Sequence, residues 1–180
     1  MLGDRRRERR DERRGGGERA HYRMRQKLVS IGDDYWIEDD QGDRAFKVDG
    51  KALRARQTLI FEDAHGNELL KIQERMLRVR DTMEIEDRDG HSVATVKKAM
   101  ITPLRERWTV TVANGPDLKV QGNIVDHEYA IEDGGTTVAA VSKKWFRVAD
   151  TYGVEVEPGQ DPVLLLAITA VLDTMAHQAR

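Results

Sequence analysis

With 180 residues, 39% hydrophobic and 34% charged, the chain suits one globular domain large enough to bury a core. Its formal net charge of −2 gives no global case for a nucleic-acid partner. The absence of cysteine excludes a disulfide framework, a thiolate metal site and a thiol nucleophile, and fits a reducing cytosol.

Residues 1–20 (MLGDRRRERRDERRGGGERA) differ from everything that follows. Eight arginines stand against five acids, so the segment is net +3 and leaves −5 for the remainder. It offers little to bury beyond Met1, Leu2 and Ala20, and Gly15 to Gly17 form a flexible spacer. A disordered Arg-rich tail is expected, followed by a single domain over 21–180. Arginines without an apolar run, interleaved with acids, match neither a secretory signal nor a transit peptide. The tail reads as a solubilising segment in preference to a basic arm for anionic lipid or nucleic acid.

From His21 onward a unit repeats. Turn glycines follow acidic or polar pairs at Gly42, Gly66, Gly90, Gly115, Gly135 and Gly159, with spacings of 24, 24, 25, 20 and 24 residues. An alternating segment precedes each glycine, and another follows each of the first five (RAFKV, ELLKIQ, SVATVKK, DLKVQG, TVAAVSKK). Strand, acidic or Asn-Gly turn, strand is the pattern of a β-hairpin, and its recurrence marks a repeated supersecondary unit.

The alternation gives each strand one apolar face. Leu53, Ala55, Leu59 and Phe61 oppose Arg54, Arg56, Thr58 and Glu62. Leu77, Val79, Met83 and Ile85 oppose Arg78, Arg80, Thr82, Glu84 and Glu86. Leu104, Trp108, Val110 and Val112 oppose Arg105, Arg107, Thr109 and Thr111, and Tyr22 to Leu28 begins the same way. This is the pattern of an antiparallel sheet wetted on one side.

The sixth unit supplies one strand within Phe146–Glu157 and then changes period. Asp161 is placed as an N-cap and Pro162 as the first helical residue of a helix over about 161–177. Val163, Leu164, Leu165, Leu166, Ala167, Ile168, Ala170, Val171 and Leu172 leave it almost no polar side. Such a helix must be buried all round. From Pro162 to Ala176 it would be roughly 22 Å long, short of the ~30 Å of a hydrocarbon core, so no transmembrane span is expected. About twelve strands with one apolar face each, plus one helix apolar on every side, predict a closed antiparallel barrel around a central C-terminal helix. A β-propeller or an open sandwich would leave the helix without an all-round apolar environment.

The stretches YRMRQKLVSIGDDYWIEDDQG, FKVDGKALRARQTLIFED, QERMLRVRDTMEIED, VQGNIVDHEYAIE and VSKKWFRVADTYGVEV resemble the LURP-one-related family. That family belongs to the tubby C-terminal-like group, which includes phospholipid scramblases. The resemblance covers roughly residues 21–177 and implies a twelve-stranded barrel around a hydrophobic C-terminal helix. It also implies kinship with phosphoinositide-binding and lipid-moving proteins, although no phosphoinositide motif can be carried onto particular residues here.

The sequence offers no catalytic constellation. Its five histidines (21, 65, 91, 127, 177) lack metal-ligand spacing, and Asp126-His127-Glu128 alternates along the backbone instead of converging, so His127 reads as a strand or turn residue. No GxSxG elbow, GxGxxG loop or phosphate loop is present. Asp87-Arg88-Asp89-Gly90 superficially resembles a calcium loop, but its glycine stands fourth and position twelve is Lys98, so a hairpin turn explains it better. No enzyme activity, metal or cofactor is therefore expected.

Charge placement is the remaining clue. Basic residues open the first arm of each hairpin or close the second, and acids gather at the tips. The candidate basic rim is Arg54, Arg56, Arg78, Arg80, Lys97, Lys98, Arg105, Arg107, Lys143 and Lys144. Such a rim suits peripheral docking of a cytoplasmic protein on an anionic phospholipid surface or a protein partner, with nucleic acid less suited. Cross-strand salt bridging competes as its explanation. The function expected is a non-enzymatic binding or scaffold module. A scramblase-like or lipid-handling protein is the alternative, which the helix disfavours by filling the interior.

Overall fold

The computed structural model describes residues 17–25, 35–50, 58–74, 82–102, 105–146 and 150–178. Three of its hairpin turns share one device. The carboxylate of Asp39, Asp63 or Asp87 accepts the backbone N–H groups two and four residues on, at 2.8–3.0 Å. The glycine three residues on (Gly42, Gly66, Gly90) takes φ of +81° to +82°, a conformation that is costly for any residue with a Cβ. The first acid of each repeated pair thus lies in the strand and the second caps the turn. The fifth hairpin uses Gly134 and Gly135 at φ +55° and +90°, both positive as a two-residue primed turn requires.

These turns join twelve strands: β1 (Ala20–Arg25), β2 (Tyr35–Asp39), β3 (Arg44–Asp49), β4 (Thr58–Asp63), β5 (Glu68–Glu74), β6 (Thr82–Glu86), β7 (Ser92–Thr102), β8 (Arg105–Val112), β9 (Leu118–Asn123), β10 (Glu128–Asp133), β11 (Thr136–Ser142) and β12 (Thr151–Val156). Each pairs antiparallel with its sequence neighbours, and β12 pairs with β1 from Ala20↔Val156 to Arg25↔Thr151, which closes the barrel. Closure leaves no exposed sheet edge.

The register breaks at the same point in four hairpins, between Ile37 and Glu38, Phe61 and Glu62, Ile85 and Glu86, and Ile131 and Glu132. At each break the returning strand sets two residues against one. The surplus residues are Ala45, Leu69, Val93 and Val138, and all four are wholly or partly buried against the core. A bulge lets two successive apolar residues turn away from water and sharpens local curvature, as a closed barrel demands.

The one helix among the described residues, α1 (Pro162–Gln178), fills the centre. Asp161 Oδ1 accepts the N–H groups of Val163 and Leu164 at 2.9 and 3.3 Å, the N-cap read from the sequence. Every residue from Leu165 to Ala176 is buried, and Leu166, Ile168, Val171 and Leu172 are wholly inaccessible. Around it stand inward side chains with no exposure, among them Met24, Ile37, Phe61, Ile72, Val110 and Val154. Each large aliphatic side chain so enclosed contributes about 1.5–3 kcal/mol. The polar interruptions in the helix are buried too. Thr169 and Thr174 donate back to the carbonyls of Leu165 and Ala170, each at 2.9 Å. Among the described residues, no helix is long and apolar enough to cross a membrane.

Residues 1–16 of the expected 1–20 tail, and the expected strand starts before Thr58 and Thr82, lie outside the described residues. Because Ile168 has no face toward water, Ile168→Asp should abolish cooperative folding, which urea unfolding followed by circular dichroism checks. A folded, cooperative variant would contradict the buried helix.

Candidate functional site

The up-and-down topology gives the barrel two distinct ends. The β2–β3, β4–β5, β6–β7, β8–β9 and β10–β11 hairpins and the start of α1 share one end, here the tip end. It carries Asp39, Asp40, Asp43, Asp63, Asp87, Asp89, Asp117, Asp133 and Asp161. The turn hydrogen bonds hold two of these carboxyls below the usual carboxylate range: Asp63 chiefly through the Asn67 side chain, and Asp87 chiefly through the His91 backbone N–H. The ligand atoms of Asp87, Asp89 and His91 lie within 4.8 Å of one another. The three repeated turns share their geometry, so turn formation accounts for that clustering.

The other end, here the loop end, carries the described part of the predicted basic set. Lys97 is exposed on β7, opposite Thr82 and Thr109. Arg107 is exposed opposite Ala99, and Arg105 lies at the start of β8. Lys143 and Lys144 follow β11, and the Lys144 side chain is 81% exposed with its Nζ 3.5 Å from Glu128. Lys98 behaves differently from its neighbour. It shares the face of buried Val96, is half-buried, and holds its ammonium 5.3 Å from the ring centroid of Trp108. Two consecutive strand residues cannot face one way, so Lys97 and Lys98 do not act together on one face. Arg54, Arg56, Arg78 and Arg80 lie outside the described residues. Salt bridging does occupy other basic positions on the outer wall, at Lys47 with Glu62 (3.4 Å) and Lys71 with Glu86 (3.9 Å).

Beneath the loop end lies a polar cluster inside the barrel. The His127 imidazole Nε2 donates to Asp173 Oδ1 at 2.6 Å, and both side chains are 1% exposed. The two residues are 46 positions apart, on the β9–β10 turn and the last turns of α1. The turn is built to deliver the imidazole inward. The Asn123 side chain donates to the Asp126 carboxylate at 2.6 Å, and the His127 N–H donates to the Ile124 carbonyl at 3.1 Å. His127 itself sits at φ +53°, a conformation that costs a non-glycine residue about 1–3 kcal/mol. Gly122, at φ +126°, lets β9 approach β10. A Cβ there would lie 2.5 Å from the Glu128 carbonyl oxygen.

Tyr152 stacks on the imidazole with centroids 4.2 Å apart, and the hydroxyls of Tyr35, Tyr129 and Tyr152 are enclosed in the same region. Burial first, and the Asp173 charge second, push all three phenols well above their ordinary range. An Asp–His pair beside tyrosines has the parts of acid–base chemistry, but a general base must reach a substrate proton. Sealed inside the wall, this one ties the end of the helix to the sheet. Removing one partner of such a buried pair typically costs about 3–5 kcal/mol.

A closed barrel of twelve antiparallel strands around a buried C-terminal helix is the tubby C-terminal-like architecture. The chain belongs to the LURP-one-related family, whose model matches residues 20–173. It is 27% identical to the uncharacterized protein YxjI of Bacillus subtilis (strain 168) over 154 residues, covering 86% of this chain and 92% of that one. The X-ray structure of a protein from Arabidopsis thaliana superposes with a TM-score of 0.66 at 17% identity, covering 90% of this chain and 94% of that one, a likeness of fold alone.

Sequence reasoning placed His127 in a strand or turn but did not connect it to Asp173. An acid inside an otherwise apolar helix was the available signal, because a buried carboxylate needs a partner. The tyrosines give a pH test. A phenol whose pKa is raised by folding stabilises the protein below its unfolded pKa of about 10, and that contribution is lost as pH rises further. Stability should fall above pH ~10 by up to about 1.4 kcal/mol per pH unit for each of the three. In a spectrophotometric titration, Tyr35, Tyr129 and Tyr152 should ionise only as the barrel unfolds. Ionisation of these three near pH 10 in the folded protein would contradict the sealed cluster.

Proposed function

We propose that the domain is a non-enzymatic binding module that docks peripherally, from the cytoplasmic side, on anionic phospholipid through the loop end of the barrel. The observation that carries this reading is the separation of charge. The tip end is lined with carboxylates, while Lys97, Arg107, Lys143 and Lys144 stand exposed or half-exposed toward the other end. A protein so polarised orients its loop end toward an anionic surface even though its net charge is only −2. Each basic residue near such a surface contributes about 1 kcal/mol, less where an acid already partners it, as Glu128 does for Lys144. The sealed interior favours binding over catalysis. A lipid-carrying barrel would need room for an acyl chain where Leu166, Ile168 and Leu172 already pack.

The test is co-sedimentation of the full chain with vesicles of phosphatidylcholine alone or with about a third phosphatidylserine. Binding should require the anionic lipid and wash off near 1 M salt, where the screening length is about 3 Å. The triple variant Lys97→Gln, Lys143→Gln, Lys144→Gln should bind at least about tenfold more weakly, as the loss of up to about 3 kcal/mol implies. Lys98 is left intact because it covers Trp108. Binding that ignores salt and lipid charge, or no binding, would sink the proposal.

A further inference from the structure

Trp145 is the one large apolar side chain that the described residues leave exposed, at 45%. A lone exposed aromatic needs no explanation in itself. What needs one is how rigidly this one is mounted. The turn that carries it is fixed from beneath by Glu128, whose carboxylate accepts the Ser142 hydroxyl at 2.9 and 3.0 Å and the Lys143 N–H at 3.1 Å. Ser142 Oγ in turn accepts the Lys144 N–H at 3.1 Å, and the Phe146 N–H closes on the Lys143 carbonyl at 3.2 Å. Burial works to raise the Glu128 pKa, but the Ser142 hydroxyl, the Lys144 charge and the backbone N–H groups outweigh it and hold the group ionised.

The rings then fold back onto β12 at a residue with no side chain. A Cβ on Gly153 would lie 2.6 Å from Trp145 Cε3 and 2.8 Å from Phe146 Cε2, so only glycine leaves them this seat. Phe146 is also held by the Arg23 guanidinium, 4.9 Å from the ring centroid. Phe146 therefore serves the wall, while much of the indole is held in water. Its surroundings are charged. Lys143, Lys144, Arg23 and Arg25 stand there with Glu128, Glu38 and the exposed Asp126 and Asp150.

We infer that Trp145 is the interfacial anchor of the docking surface, seating its indole in the headgroup layer of an anionic phospholipid membrane while the neighbouring lysines meet the phosphates. This rests on the lipid-docking reading above and names the contact that reading leaves open. A rigid indole ringed by exposed cations suits the membrane interface, where amphipathic rings concentrate. A fluid headgroup layer accepts a single protruding ring without the large complementary area that a protein partner needs.

The experiment uses the full chain and vesicles with about a third phosphatidylserine, with and without lipids brominated near the headgroup. Wild-type emission should shift to the blue and be quenched by the brominated lipid. Trp145→Ala should remove both signals and weaken binding about tenfold, the scale of taking one partly buried aromatic from an apolar contact. Trp145→Phe should recover part of the affinity. Trp36 and Trp108 remain in both variants, so unchanged circular dichroism and residual emission show that the fold is intact. If wild type binds but Trp145→Ala binds equally and wild type shows no quenching, the anchor is wrong and electrostatic docking stands. If no anionic vesicle binds wild type, the docking reading fails and takes the anchor with it.

Discussion

From Leu165 to Ala176 the chain forms a helix with no face turned to water, and the rest of the fold follows from enclosing it. One sheet face covers only one side of a helix. Covering all sides takes a wall that returns on itself, and the pairing of β12 with β1 provides it. The wall must curve, which the four bulges at matching positions allow. The ends must hold the helix in one position. At its start Asp161 caps the helix's own first turn through two backbone N–H groups, and near its end Asp173 ties it to the β9–β10 turn through His127. The helix is thus fixed to the barrel by packing along its length and by one polar contact near its end.

Much of this was legible because it is local. Alternation of apolar and polar residues repeats within each strand, and the Asp caps and turn glycines recur at near-constant spacing. The surplus apolar residues Ala45, Leu69, Val93 and Val138 are visible in the sequence as breaks in that alternation. The His127–Asp173 contact was not legible, because nothing local joins residues 46 positions apart. Nor does a sequence announce that His127 adopts a positive φ, which the hydrogen bonds of residues 123–127 impose. The direction of each basic side chain was hidden for a related reason. Charge spacing along the chain groups Lys97 with Lys98, whereas strand geometry sends one outward and the other over Trp108. The seat of Trp145 on Gly153 was equally hidden, since it depends on a turn folding back over a strand that comes after it.

The division of labour within the domain has a physical basis. A sealed interior offers a partner no surface while the barrel stays closed. The outer wall and the two ends are what solvent meets, and the ends differ in charge. At the tips the carboxylates of Asp39, Asp63 and Asp87 are committed to turn geometry and that of Asp161 to the helix cap. The loop end carries Lys97, Arg107, Lys144 and Trp145 exposed, so it has more freedom to meet a surface.

The account turns on the helix being enclosed and held as an inseparable part of the barrel. Native-state hydrogen exchange, residue by residue under increasing denaturant, measures this directly. The amides of residues 166–176 should exchange only through global unfolding, with the same free energy and denaturant dependence as those of β4, β5 and β12. Exchange of these helix amides at a lower free energy than the strands would mean that the helix leaves an intact barrel, and that result would contradict the account.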